Sequence, residues 1–321
     1  MIFLPLVKPS SLLQSESLLP RMQTDELYTI LNDQFQRELS GYIGEKSMDY
    51  YYQLLDLAAF PVLHGLRIKT GRKYFQIDTL VLFPQFILII ETKNLTGVVH
   101  YQLETGLMYR EKLDGRLERF QDPMMQASVQ RHHLHNFLQV HNIAPIPIHT
   151  LTVFSNPNVI LKHPGHEVIP DLLLAQNLLK RVPELRKQYQ NEHFSYGELE
   201  QIARMLVAAH EPNEKRLVDK FDIHASQVRK GVWCPRCKRN MMDRIERNWL
   251  CGTCGLKDPN AHMTAIHEYC TIFGPEFTNL EMREFLRINS KDVMRRLLVG
   301  GPFTKIGKSK GAKYMYESGR K

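Results

Sequence analysis

Asp78, Glu91 and Lys93 lie at the ends of two short apolar runs in the stretch Phe75–Lys93, which reads FQIDTLVLFPQFILIIETK. The runs, Thr79–Phe83 and Phe86–Ile90, flank Pro84-Gln85. Short aliphatic and β-branched runs broken by a turn signal are the pattern of two adjacent buried strands. Asp78 enters the first run, and Glu91 and Lys93 leave the second. Being two residues apart, Glu91 and Lys93 point to the same face of a strand. Two carboxylates can converge on one divalent cation, Mg²⁺ or Mn²⁺, through oxygen ligands. An ammonium beside them can orient or deprotonate a water and offset the charge that develops in a transition state. This is what metal-dependent phosphodiester cleavage requires. The plain alternative for the same three residues is strand-end charge facing water. No G-x-S-x-G or Cys/His frame that would suit covalent nucleophilic catalysis accompanies them.

A second set of residues suits a different metal. Cys234-Pro235-Arg236-Cys237 and Cys251-Gly252-Thr253-Cys254 form two C-x2-C pairs separated by thirteen residues. Four thiolates on two short knuckles suit a closed tetrahedral Zn²⁺ site, which leaves no position open for catalysis. A redox C-x2-C would be expected singly, beside a βαβ pattern. The insert Asp243–Leu250 can form the hairpin of a zinc ribbon. Such ribbons bind DNA, RNA or protein, so the ribbon alone does not name its ligand. The fifth cysteine, Cys270, follows the apolar pattern of a helix and reads as core.

The wider frame around the first set has a family likeness. Gly41-Tyr42-Ile43-Gly44-Glu45, Gln76-Ile77-Asp78, Glu91-Thr92-Lys93-Asn94 and Asp122-Pro123-Met124-Met125-Gln126 occur in that order. Together they resemble the nuclease-related domain, NERD, over about residues 25 to 160, and D-x12-E-T-K resembles the wider PD-(D/E)xK nuclease superfamily. The resemblance implies an α/β fold, a mixed-sheet restriction-endonuclease-like core. It also implies that Glu45 lies beside the metal site, and that Gln126 supports Lys93 or the attacking water.

The elements that must position these residues can be read in order. Asp25–Leu39 has helical apolar spacing, and Ser40 reads as the cap of a second helix running towards Leu57. Two glycines in that helix, each costing about 1 kcal/mol relative to alanine, imply close packing or a close ligand. Phe60–Lys69 and Lys73–Phe83 read as strands joined at Thr70-Gly71-Arg72. Arg67, Lys69, Arg72 and Lys73 on this hairpin either contact flanking phosphates or decorate a wet tip. Short strands follow at Thr96–Gln102, Leu107–Arg110 and Arg116–Phe120. Asp122-Pro123 starts a helix that runs to about His141 and carries Gln126 and, one turn on, Gln130. Its histidines lack the i, i+4 pairing of helical zinc sites. Ile148–Phe154 reads as a strand, Val159–Leu161 and Glu167–Ile169 as edge strands, and Leu172–Arg181 and Tyr196–Ala209 as helices. The expected domains are an N-terminal extension (1–24), the nuclease-like domain (25–210), a linker (211–231), the zinc ribbon (232–258) and a basic winged helix-turn-helix region (259–321).

Length and charge bound the rest. The 321 residues, 43% apolar and 24% charged, suit two or three soluble domains. No apolar run approaches the ~20 residues of a membrane span, and Ile2–Val7 is no convincing signal peptide, so the expected location is the cytoplasm. Residues 229–321 carry 19 Lys and Arg against 9 Asp and Glu, and residues 1–228 carry 23 against 25. A nearly neutral body with a basic C-terminal region suits a polyanion partner, here DNA. In the helix-turn-helix docking mode Ser290, Lys291, Arg295 and Arg296 reach a major groove, while Lys305, Lys308, Lys310 and Lys313 on the wing hold phosphates. A basic helical hairpin docking on protein is the alternative. Three readings fit the whole: a Mg²⁺-dependent nuclease acting on DNA, an inactive nuclease fold serving a nucleic-acid-binding or regulatory protein, or an RNA or tRNA-like target, for which no RNP-type aromatic motif argues. An intact Asp78/Glu91/Lys93 set favours the first.

Overall fold

The apolar runs between residues 62 and 93 become the middle of a six-stranded mixed sheet. The computed structural model describes residues 1–112, 115–163, 169–238, 240–308 and 311–317. The chain divides into two compact units, the first Met1–Lys8 with Arg37–Pro212, the second Pro9–Gln36 with Asn213–Lys321. Strand β1 (Ile2–Leu4) belongs to the first unit and helix α1 (Ser10–Leu18) to the second. Helix α2 (Glu26–Ser47) crosses the division, and α3 (Asp49–Leu54) follows it. Then come β2 (Val62–Thr70), β3 (Lys73–Leu82), β4 (Ile87–Lys93), β5 (Gly97–Gln102), β6 (Leu107–Glu111) and β7 (Leu117–Phe120). After α4 (Pro123–Val140) the unit is completed by β8 (Ile148–Phe154), β9 (Val159–Lys162), β10 (Leu172–Leu174), α5 (Leu178–Gln188) and α6 (Tyr196–Ala208).

The large sheet has the order β1-β2-β3-β4-β8-β10. Strands β2, β3 and β4 are antiparallel neighbours, while β4–β8 and β8–β10 are parallel. Side-chain alternation along β4 feeds two cores. Leu88 and Ile90 join Met48 and Tyr52 at the start of the unit and Leu178, Val182 and Leu185 of α5. Ile87 and Ile89 join Leu134 and Leu138 of α4 and Leu199, Ile202 and Leu206 of α6. A sheet with helices on both faces is the mixed α/β sandwich expected, and its strands read as unbroken apolar runs because both faces are buried. A second sheet, β7-β6-β5-β9, packs Val99, Tyr101 and Met108 against Phe154.

Two local expectations need correction. Ser40 caps no helix. It lies inside α2, and its hydroxyl donates to the carbonyl of Asn94, 3.3 Å away. Leu172–Leu174 is a strand paired in parallel with Thr152–Phe154, because a buried sheet edge claims this apolar triplet. The edge strand expected at Glu167–Ile169 begins outside the described residues.

The domain boundaries also differ. β1 pairs with β2, and Leu18, Leu19 and Met22 are core of the second unit, so residues 1–24 are no free extension. Leu217, Val218, Ile223 and Val228 are buried in that same core, so the polar segment read as a linker is anchored at intervals by apolar residues. In the second unit α7 (Leu217–Lys220) precedes a three-stranded sheet of β11 (Asp243–Ile245), β12 (Asn248–Leu250) and β13 (Lys257–Asp258). It continues through α8 (Ala261–Phe273), β14 (Glu276–Thr278), α9 (Asn279–Leu286), α10 (Lys291–Val299), β15 (Phe303–Ile306) and β16 (Lys313–Tyr316). The last three strands pair in the order β14-β16-β15, an arrangement compatible with a winged helix. Thr278 and Glu281 form a capping box at α9, and the Ser290 hydroxyl accepts the N–H of Val293 at α10. Ribbon and helices share one core, which includes Cys234, Trp249, Cys251, Ile266, Phe285 and Met294. Arg21 is buried beside it, its guanidinium on Glu268 and on the carbonyls of Arg229 and Gly231.

Candidate active site

A four-residue stripe on α4 runs alongside alternate residues of β4. Four residues of helix rise about 6 Å and two of strand about 6.6 Å, so the two rows stay nearly in step. Leu138 and Leu134 share a core with Ile87 and Ile89, and the row then turns polar. Gln130 Nε2 donates to Glu91 Oε2 at 2.7 Å, and Gln126 Oε1 accepts from Lys93 Nζ at 2.9 Å. Lys93 Nζ also donates to Glu91 Oε1 at 2.7 Å. Asp122 fixes the start of the helix by accepting the N–H groups of Met124 and Met125, and it takes a further bond from the Tyr101 hydroxyl.

Asp78 sits where β3 and β4 part. Their pairing ends at Thr79–Ile90, and beyond it Asp78 Oδ2 accepts the N–H of Thr92 at 2.9 Å. The alternation of β3 breaks at this point. Phe75 and Ile77 share one core with Leu80 and Leu82, which unbroken alternation forbids. The neighbouring strand breaks likewise, with Leu63, Leu66 and Ile68 in that core. Between His64↔Thr79 and Leu66↔Ile77 stands Gly65 at φ +61°, opposite Asp78 in the register. A left-handed residue here turns both strands at the carboxylate, and glycine takes that conformation without strain.

Glu45 arrives through close packing of α2. A Cβ on Gly44 would stand 2.5 Å from Asn94 Cβ and 2.9 Å from Ser155 Oγ, so a larger residue would push the helix away. Gly41 meets nothing within 4 Å. Close packing, one of the two expectations for these glycines, therefore applies to Gly44 alone.

Three carboxylates then press on one another. Glu91 is 1% exposed. Burial, and then the charges of Glu91 and Glu45, hold the Asp78 carboxyl well above the usual carboxylate range. Burial and the charge of Glu91 push Glu45 up to about 7, with Lys93 opposing. Behind Asp78, Thr79 Oγ1 takes the Tyr52 hydroxyl at 3.1 Å and lies 3.1 Å from His64 Nδ1. Burial lowers the pKa of His64 and raises that of Tyr52, so both are uncharged near neutrality. Burial and mutual repulsion favour the protonated forms of Asp78 and Glu45, and a divalent cation bound through oxygen would offset that repulsion and take the place of the protons. Carboxylates are the donor type such an ion takes. Glu45, Asp78 and Glu91 would hold it.

The cysteines form a tighter group. The Sγ atoms of Cys234, Cys237, Cys251 and Cys254 all lie within 4.8 Å of one another, with 3.5 Å between Cys234 and Cys254 and 3.7 Å between Cys237 and Cys251. A tetrahedral zinc with Zn–S near 2.3 Å places its sulfurs about 3.8 Å apart. The backbone N–H of Cys254 leads in lowering the Cys251 thiol to about 6, whereas Cys254, despite the Leu256 N–H, is pushed up to about 11 by burial and its sulfur neighbours, so a metal would have to displace protons from part of the set. The four cysteines can bind a structural metal. Cys270 is buried outside this set, and burial pushes its thiol up to about 12.

The family model of the nuclease-related domain, NERD, matches residues 40–155. Over residues 40–155 the chain is similar to the NERD family. The NERD match contains Glu45, Asp78, Glu91, Lys93, Gln126 and Gln130, together with β3, β4, α4 and the end of α2. None of the curated proteins and none of the solved structures matches the chain.

The sequence reading missed the role of Gln130, which fastens the buried Glu91 while Gln126 holds Lys93. Its place one turn from Gln126 was the available signal. Arg67 is engaged, stacked on the Tyr74 ring at 3.5 Å and donating to the Glu211 carbonyl, whereas Lys69, Arg72 and Lys73 are exposed. Lys291, Arg295 and Arg296 lie exposed on α10, as do Lys305 and Lys308 further on, while Lys313 of β16 pairs with Glu276 at 3.2 Å. Lys310 lies outside the described residues.

Proposed function

We propose that this chain is a Mg²⁺-dependent nuclease that hydrolyses DNA phosphodiester bonds, with the C-terminal unit recruiting the substrate. The hydrogen-bonded set Glu91–Lys93–Gln126, facing two further carboxylates of raised pKa, carries this reading. A binding protein has no use for such a costly arrangement. Glu45, Asp78 and Glu91 would hold Mg²⁺ or Mn²⁺, which would supply Lewis acidity for activating a water. Thr92 N–H keeps the Asp78 carboxylate aimed, and Gln130 does the same for Glu91. Lys93 has three N–H donors, two of them committed to Glu91 and Gln126. The third remains for a phosphoryl oxygen or the attacking water, and it offsets the charge that grows as the water oxygen joins phosphorus. One P–O ester bond then breaks, and the leaving oxygen takes up a proton.

The four-cysteine site suits one structural Zn²⁺, and the exposed cations Lys291, Arg295, Arg296, Lys305 and Lys308, with Lys313, suit phosphate contacts. The test is cleavage of end-labelled single- and double-stranded DNA by the purified chain with Mg²⁺, Mn²⁺ or EDTA. Products that appear with either metal and vanish in EDTA are expected. DNA that is bound in Mg²⁺ and Mn²⁺ yet never cut would overturn the enzyme reading.

A further inference from the structure

A groove of about 540 Å³ opens beside Gln126 and Gln130, between the start of β3 and the outer face of α4. Its size falls within the range of small-molecule pockets. Its chemistry differs from that of the catalytic row. Phe75, Met125 and Val129 give it apolar walls, and Gln76, Gln126 and Gln130 give it amides, but neither lysine nor arginine lines it. His133 and the Asp122 carboxylate line it too, and the carboxylate disfavours a phosphate, whereas a flat uncharged heterocycle with donors and acceptors on its edge would find matching surfaces. Val129 is 47% and Met125 61% exposed, so an apolar rim faces solvent. Gln130 is only 4% exposed, its Nε2 is spent on Glu91, and its Oε1 is closed off from solvent with no partner among the described residues. The amides that an incoming base edge can reach are those of the exposed Gln76 and the half-buried Gln126.

We propose that this groove receives one unpaired nucleobase of the substrate strand, next to the phosphate presented to Lys93. This rests on the nuclease reading and extends it to specificity. Gln126 and Gln130 each touch both sites, so a seated base and a positioned phosphate support one another. A base can enter only when it is unstacked, at low cost in single strands, mismatches and ends and at a few kcal/mol in intact duplex. The chain should therefore prefer single-stranded or distorted DNA.

The test places 2-aminopurine, whose emission reports its surroundings, at successive positions of a single-stranded oligonucleotide carrying a distant anisotropy label. The 321-residue chain is added in Ca²⁺, and Val129→Trp and Met125→Trp fill the rim from exposed positions. Emission is expected to change strongly at one position only. Both variants should abolish that change while overall affinity stays within about threefold. In Mg²⁺, removing the base at that position should slow cleavage roughly tenfold, the size of one lost stacked base. Equal emission at every position, or a change that survives both substitutions, would overturn the proposal. Lack of cutting of the unmodified strand would instead count against the nuclease reading, since the emission test does not need cleavage.

Discussion

At the residue scale the site is governed by carboxylates that resist ionising together. Glu45 titrates near 7 because burial and Glu91 disfavour its charge. A divalent cation must displace that proton and the one that burial favours on Asp78, so Mn²⁺ affinity should rise as pH goes from 6 to 8. Calorimetric titration measures this, and Glu45→Gln should make the rise less steep. Without metal the sign for stability is opposite. Between about 4.5 and 7 the folded chain keeps a proton on Glu45 that the unfolded chain has lost, so this group's contribution falls as pH rises through that window. Asp78, Glu91 and Lys93 were legible in the sequence because chemistry of this kind needs few residue types at strand ends. Gln130 was not, because a glutamine one turn from another carries no mark of which carboxylate it will meet.

At the scale of elements, two glycines of one helix should behave in opposite ways. Gly44→Ala meets Asn94 and should cost about 1–3 kcal/mol, the usual range for overpacking. Gly41→Ala meets open space and should stabilise by about 1 kcal/mol. Thermal unfolding of the two variants checks both. Cleavage should fall with Gly44→Ala, since a displaced α2 carries Glu45 away, and hold with Gly41→Ala. Gly65→Ala forces a left-handed alanine and should cost about 1–2 kcal/mol. The core strands were readable from their apolar runs, and α4 from Asp122-Pro123. The turn at Gly65 was not, since a glycine within an apolar strand does not announce which carboxylate it faces. The Leu172–Leu174 run could be strand or helix by pattern alone, and pairing with β8 decided it.

At the scale of the whole molecule, each unit has its own core and its own expected metal. Cys234 and Cys251 are part of the second unit's core, so losing the four-sulfur site should loosen more than the ribbon. Cys251→Ser should abolish release of one equivalent of zinc to a chromogenic chelator and lower the unfolding temperature of the second unit. Arg295→Ala with Arg296→Ala should weaken DNA binding across sequences and reduce the slope of log affinity against log salt by about one per lost phosphate contact. The two knuckles and the basic bias of the C-terminal region stood out in the sequence because metal spacing and charge are local. The division into units did not. It depends on where Leu18, Met22, Leu217 and Ile223 pack, and that is a property of the folded core.

The central claim is that Lys93 acts on the reacting phosphate and does more than hold Glu91 in place. The most direct test is the single-turnover cleavage rate of saturating DNA in Mg²⁺ by the parent chain and by Lys93→Ala, with DNA affinity and unfolding temperature measured alongside. The account predicts a rate lower by about 10²–10³-fold, the usual loss when one transition-state donor is removed, with affinity within about threefold and the fold intact. A variant that folds, binds and cuts at the parental rate would contradict it.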